Sequence, residues 1–142
     1  MYAKVSGPVP MRELAAAAEA AIETTAIDGF HIQACLLYAI ALHSIGDQSR
    51  SLELLHRTID RALGIDMHHK AFAIVHGRGQ RHFEESWRRT WWEIYVMDHM
   101  FASINQSVPK LSTIQSTALL PCEEMEYLHN KVCMSHRSGM CY

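Results

Sequence analysis

The stretch EESWRRTWWEIYVMDHMFAS, residues 84–103, sets Arg88 and Arg89 among Trp87, Trp91, Trp92 and Tyr95, with Asp98 on the following turn. Three chemistries fit those residue types. Arginine beside aromatic rings can neutralise phosphates and stack on bases. A carboxylate can act as a general acid or base, and the same residues can also anchor a core helix. Arg78, Arg81, Arg88 and Arg89 cluster as a phosphate-binding surface would, but Glu84 and Glu85 lie among them and cancel half the charge. That mixture favours a solvated, ion-paired helix start over a nucleic-acid surface. Asp98 lacks a second acid or base at a useful spacing, which favours a structural anchor over a catalyst. The chain has no G-x-S-x-G elbow, and HGRGQR is followed by no GK[ST] and preceded by no strand pattern. No catalytic residue is assigned.

Histidine and cysteine are the other ligand-bearing types. There are ten histidines, of which His68, His69, His76 and His82 fall in one weakly patterned segment. They lack the tight cysteine-partnered spacing of zinc sites and read as solvated loop residues. Cys122, Cys133, His136 and Cys141 give C-x10-C-x2-H-x4-C, whose first interval is too long for a zinc knuckle. Cys35 sits in an apolar helical run, where a buried free thiol is expected. The sequence therefore assigns no metal ligand and no cofactor site in this chain.

The elements that must position these residues read as helices. MRELAAAAEAAIETTA is rich in the best helix former and carries Leu14, Ala18, Ala21 and Ile22 on one stripe. Asp28 can cap the next helix, from Phe30 to Ser44, which is apolar nearly all round and should be surrounded. Gly46 stops it and Asp47 opens a third helix to about Leu63, with Leu52, Leu55, Ile59, Ala62 and Leu63 inward and Glu53 paired with Arg57 outward. Gly64 fits the left-handed position that ends it, with Ile65 folding back on Ile59. Residues 65–83 read as a long loop with at most one helical turn. The aromatic helix follows, with Glu84 and Glu85 at the positive end of its dipole. Trp87, Trp91, Ile94, Asp98 and Phe101 share one face, and Trp92, Tyr95, His99 and Ala102 the adjoining one. LSTIQSTALLP reads as extended or irregular, and CEEMEYLHNKV as a short helix. The fold class is all-α: an antiparallel helical bundle of about four main helices with a long loop before the last, part of a larger α-helical domain.

Composition bounds the function. A chain of 142 residues can bury a core, and 49% hydrophobic with 20% charged residues is ordinary for a globular domain. A formal net charge of −2 lacks the basic footprint of a free-standing nucleic-acid binder. MYAKVSGPVP has no signal-peptide core, and ACLLYAIAL is far short of the ~20 residues a membrane span needs. The sequence thus reads as soluble and intracellular, with reduced thiols and no membrane partner.

The blocks IQACLLYAIALHSIGDQSRSLELLHRTIDRALGID, ESWRRTWWEIYVMDHMFAS and ALLPCEEMEY together resemble the fungal-specific transcription factor domain, the middle regulatory region of fungal binuclear zinc-cluster regulators. The matching positions are Ile32 and Gln33, Gly46, Leu63 and Gly64, the R-R-x-W-W-x-x-Y-x-x-D residues Arg88, Arg89, Trp91, Trp92, Tyr95 and Asp98, and Leu120 with Pro121. His99 and NQSVPK depart from the family pattern. The resemblance implies an all-helical, non-enzymatic regulatory domain acting in the nucleus, often within a dimeric regulator. Its partners would be other parts of that regulator, the transcription machinery or a second copy as a homodimer. It places DNA and zinc binding in a separate six-cysteine cluster, so this chain is expected to bind no specific DNA sequence and to need no zinc of its own. The resulting division is a disordered N-terminus over 1–10, a partial regulatory domain over 11–128 and an unmatched tail over 129–142, as in a truncated member. Two rivals remain. One is a tetratricopeptide-like interaction scaffold, because residues 30–63 resemble one helical-repeat unit, though a single copy is too few to stack. The other is a small ligand-binding module with its pocket beside the aromatics.

Overall fold

The computed structural model describes residues 11–23 and 27–123. Five helices follow in order: α1 (Met11–Ile22), α2 (Gly29–Ser44), α3 (Gln48–Gly64), α4 (Lys70–Gly77) and α5 (Arg81–Ile104). There is no strand among the described residues, so the fold is all-α. The expected disordered N-terminus, the short helix over 122–132 beyond Glu123 and the cysteine-rich tail lie outside the described residues.

The helix boundaries follow from local chemistry. Asp28 accepts the His31 backbone N–H at 2.8 Å and caps α2, and Asp47 caps α3 through Arg50. Gly46 takes φ +86°, which lets its own N–H reach His43 O and the next N–H reach Leu42 O, the paired bonds of a Schellman ending. The end of α3 differs from the sequence reading. Gly64 remains helical, and Asp66, at φ +60°, takes the left-handed position. Asp66 N–H bonds to Leu63 O and Met67 N–H to Ala62 O. The residue that turns fully into the core is therefore Met67, 2% exposed, with Ile65 only partly buried against it.

Two helix pairs, α2 with α3 and α4 with α5, make the largest helix contacts, and α5 also lies against α3 and α2. Ile32, Cys35, Leu36, Ala39 and Leu42 of α2 meet Leu54, Leu55, Ile59 and Ala62 of α3 and Trp87, Trp91, Ile94, Met97 and Phe101 of α5. Ser51 spans the first pair by donating to Ala39 O at 2.6 Å.

The segment read as a long loop contains a helix. α4 has no side-chain N-cap bond, and what secures it is Phe72 and Ala73 buried against the core, with the Phe72 ring edge-on to Trp87 at 6.1 Å. Tertiary packing overrides a weak local pattern there. α5 accordingly begins at Arg81, three residues before Glu84. α2 is not surrounded either: Phe30 and Leu37 are 58% and 66% exposed, and Ile45 at its C-cap is 68% exposed. α1 is docked lightly, because Leu14 is exposed and only Ile22 of its apolar stripe is buried. Polar ties hold it: Glu19 to Arg50, Glu23 to Arg57, Tyr38 Oη–H to Glu19, and Arg61 to Ile22 O. Arg57 thus reaches across to α1 and does not pair with Glu53 as its i, i+4 spacing led us to expect.

Candidate functional site

The residues singled out on α5 converge on one structure, a strap formed by residues 107–123 that lies across the helix. Asp98, 2% exposed, accepts the Lys110 N–H at 3.2 Å and the Leu111 N–H at 2.8 Å through its two oxygens. A buried carboxylate needs such donors, and here they fix the start of the strap and bury Leu111. About two turns earlier, the Trp91 indole N–H donates to Ser116 Oγ and that of Trp92 to Leu119 O, both at 2.9 Å. Ser116 Oγ–H in turn donates to His68 O at 3.0 Å, tying the strap to the corner between α3 and α4.

At the helix start, Glu85 is the hub, and the sequence reading missed it. Glu85 is 2% exposed. It accepts Arg88 Nε–H and Arg89 Nε–H at 3.0 Å each and the Cys122 backbone N–H at 2.8 Å. Arg89 also donates to Cys122 O at 3.0 Å. Burial disfavours the Arg89 cation, yet Glu85 and Cys122 outweigh that and raise its pKa. The solvated helix start expected from the charges is therefore largely an internal ion-pair cluster, with the Arg88 side chain only 14% exposed. Its one legible signal was the Glu85 spacing of i−3 and i−4 to two arginines.

Tyr95 holds a lesser place, its ring edge-on to Trp92 and stacked on His99. Gln33, half-buried on α2, reaches α5 by donating to Ser86 Oγ at 2.9 Å and Thr90 Oγ1 at 2.8 Å. Trp87 packs on Phe30 and on Gly29, where an added Cβ would lie 2.6 Å from its ring. Of the expected signature, Arg88, Arg89, Trp91, Trp92 and Asp98 thus all bear on the strap or on its anchor Glu85, while Tyr95 packs beside them.

A second polar cluster ties α2 to α3. Arg61 Nη1–H donates to His31 Nε2 at 2.8 Å, and Cys35 Sγ lies 3.4 Å from the same nitrogen. Burial, reinforced by Arg61, lowers the His31 pKa, and burial raises that of the Cys35 thiol. A thiol held protonated and fully buried is a poor nucleophile. No helix among the described residues is long and apolar enough to cross a membrane.

Residues 16–134 match the family model described as the fungal specific transcription factor domain. Over 102 residues the chain is 39% identical to the C6 finger domain transcription factor iacK of Pestalotiopsis fici, an alignment covering 71% of this chain and 15% of that protein. The chain therefore spans a small fraction of the length of the curated relative it matches. No solved structure matches.

Proposed function

The chain belongs to the fungal-specific transcription factor domain family, and from that premise we propose that it acts as a non-enzymatic regulatory platform within a longer zinc-cluster type regulator. It is a regulatory transcription factor domain, and the helical-repeat alternative has no support from the family match. Its place of action is the nucleus, where the regulator it serves would work. Sequence-specific DNA contact and zinc binding by the cysteine cluster belong to a module outside this domain.

The observation that carries this reading is how the charged residues of α5 are used. Glu85 and Asp98 hold backbone amides of the strap, and two of the four clustered arginines turn onto Glu85. Charges engaged in this way position a segment; they are poorly placed to attack a substrate or follow a phosphate backbone. The exposed apolar side chains Phe30 and Leu37 on α2, Ile45 just after it, and Val96 and Ile104 on α5 supply surface for the rest of the regulator.

Fluorescence anisotropy with labelled duplex DNA tests the DNA side of the proposal. The isolated chain should bind only weakly, with affinity that falls steeply as salt rises. Tight binding that distinguishes one duplex sequence from another would overturn it.

A further inference from the structure

The turn between α3 and α4 gathers three side chains that ligate metals. Asp66, His68 and His69 each offer one ligand atom, and these atoms lie within 4.8 Å of one another. Asp66 Oδ1 is 3.5 Å from His69 Nδ1, and the two imidazole rings are tilted 39° to one another with centroids 3.8 Å apart. A tetrahedral ion with bonds of ~2.0–2.1 Å holds its ligands about 3.3 Å apart. One pair is already near that separation, and Asp66 and His69 are exposed.

The backbone beneath these side chains is fixed. The Schellman bonds close the α3 terminus at Asp66 and Met67, and the His69 N–H bonds to Asp66 O at 3.0 Å. His68 O accepts from Ser116 Oγ and from the Thr117 and Ala118 backbone N–H groups. Such supporting bonds hold ligands in place before an ion arrives. An independent observation comes from the same ring: His68 Nδ1 is buried with no hydrogen-bond partner among the described residues. A ligand at that nitrogen would satisfy it.

We propose that Asp66, His68 and His69 bind one first-row divalent cation of the zinc type, with water completing the coordination. Two imidazoles and one carboxylate suit zinc, cobalt, nickel or copper, whereas calcium and magnesium take oxygen ligands. The sequence reading set His68 and His69 down as solvated; His69 is exposed, whereas His68 is half-buried with its Nδ1 covered. His76 stays apart, stacked on Phe72 with Nδ1 at 3.0 Å from Phe72 O. A bound ion would brace the corner on which the strap rests, and so bias the docking of 116–118 against α5.

The test is titration of the full chain with zinc chloride by calorimetry, paired with cobalt(II) visible absorption. Asp66→Asn and His69→Asn are suitable variants, because asparagine tolerates the left-handed conformation at 66 and is a favoured N-cap at 69. One equivalent of zinc should bind and raise Tm, and either variant should weaken binding at least about tenfold. His76→Gln, and Cys133→Ser with Cys141→Ser, should leave binding intact. Absence of a one-equivalent site, or an affinity unchanged in the Asp66→Asn, His69→Asn double variant, would overturn the proposal.

Discussion

Glu85 shows how the same local spacing can describe two different environments. An acidic residue three and four positions before two arginines reads as a surface ion pair worth only a few tenths of a kcal/mol. The Cys122 amide, 37 positions away, joins the cluster and leaves the carboxylate buried, and no window of sequence around 85 contains that information. Removing one partner of such a cluster strands the others, so Glu85→Gln should cost about 3 kcal/mol, read as a lower urea midpoint with an unchanged slope. Asp98→Ala should cost about 2 kcal/mol by leaving the Lys110 and Leu111 amides without their acceptor. The kind of partner Asp98 needs could be argued from burial alone, but which amides supply it depends on the path of the strap. His31 sets a pH dependence. Its folded pKa is depressed by burial and by Arg61, with Arg57 adding to this and Asp28 opposing, while Cys35 and Arg61 contact its ring. Below about pH 6.5, the ordinary histidine value, the unfolded chain takes a proton that the folded chain resists, so stability falls on acidification. Tm should therefore drop between about pH 7.5 and pH 5.5, above the range where ordinary carboxylates near pH 4.3 titrate; burial lowers the His68 pKa as well, so His31→Gln should lessen that drop and leave the His68 part.

Among the elements, those whose ends carry their own chemistry were legible and those held by packing were not. Asp28, Gly46 and Asp47 mark the α2–α3 pair unambiguously. α4 lacks a side-chain cap, and the burial of Phe72 beside Trp87, not a local signal, makes it a helix. The α3 terminus was misplaced because glycine is the expected left-handed residue, whereas the chain puts Asp66 there. At Gly29 α2 approaches α5 closely, since a Cβ would lie 2.6 Å from the Trp87 ring. Gly29→Ala should destabilise by about 1–3 kcal/mol through overpacking, checked by thermal unfolding. α1 rests chiefly on exposed ion pairs to Arg50 and Arg57, and exposed pairs are screened by salt. Hydrogen exchange across 13–22 should quicken in about 1 M salt while α3 and α5 keep their protection.

For the whole molecule, an apolar α2 was expected to be enclosed, yet Phe30, Leu37 and Ile45 face outward. The chain also spans 15% of the relative it matches. Periodicity counts apolar positions but does not say how many layers cover them. Those surfaces should make the isolated chain self-associate with concentration, seen as a rising mass in sedimentation. A monodisperse monomer at high concentration would count against that. The strapped α5 helix is proposed to make this domain a regulatory platform. The most direct measurement fuses the chain to an unrelated sequence-specific DNA-binding module and reads a reporter gene in fungal cells. Output should differ from that of the module alone and return to the module's level with Glu85→Gln plus Asp98→Ala at equal protein abundance. Output equal to the module alone, or unchanged by both substitutions, would contradict it.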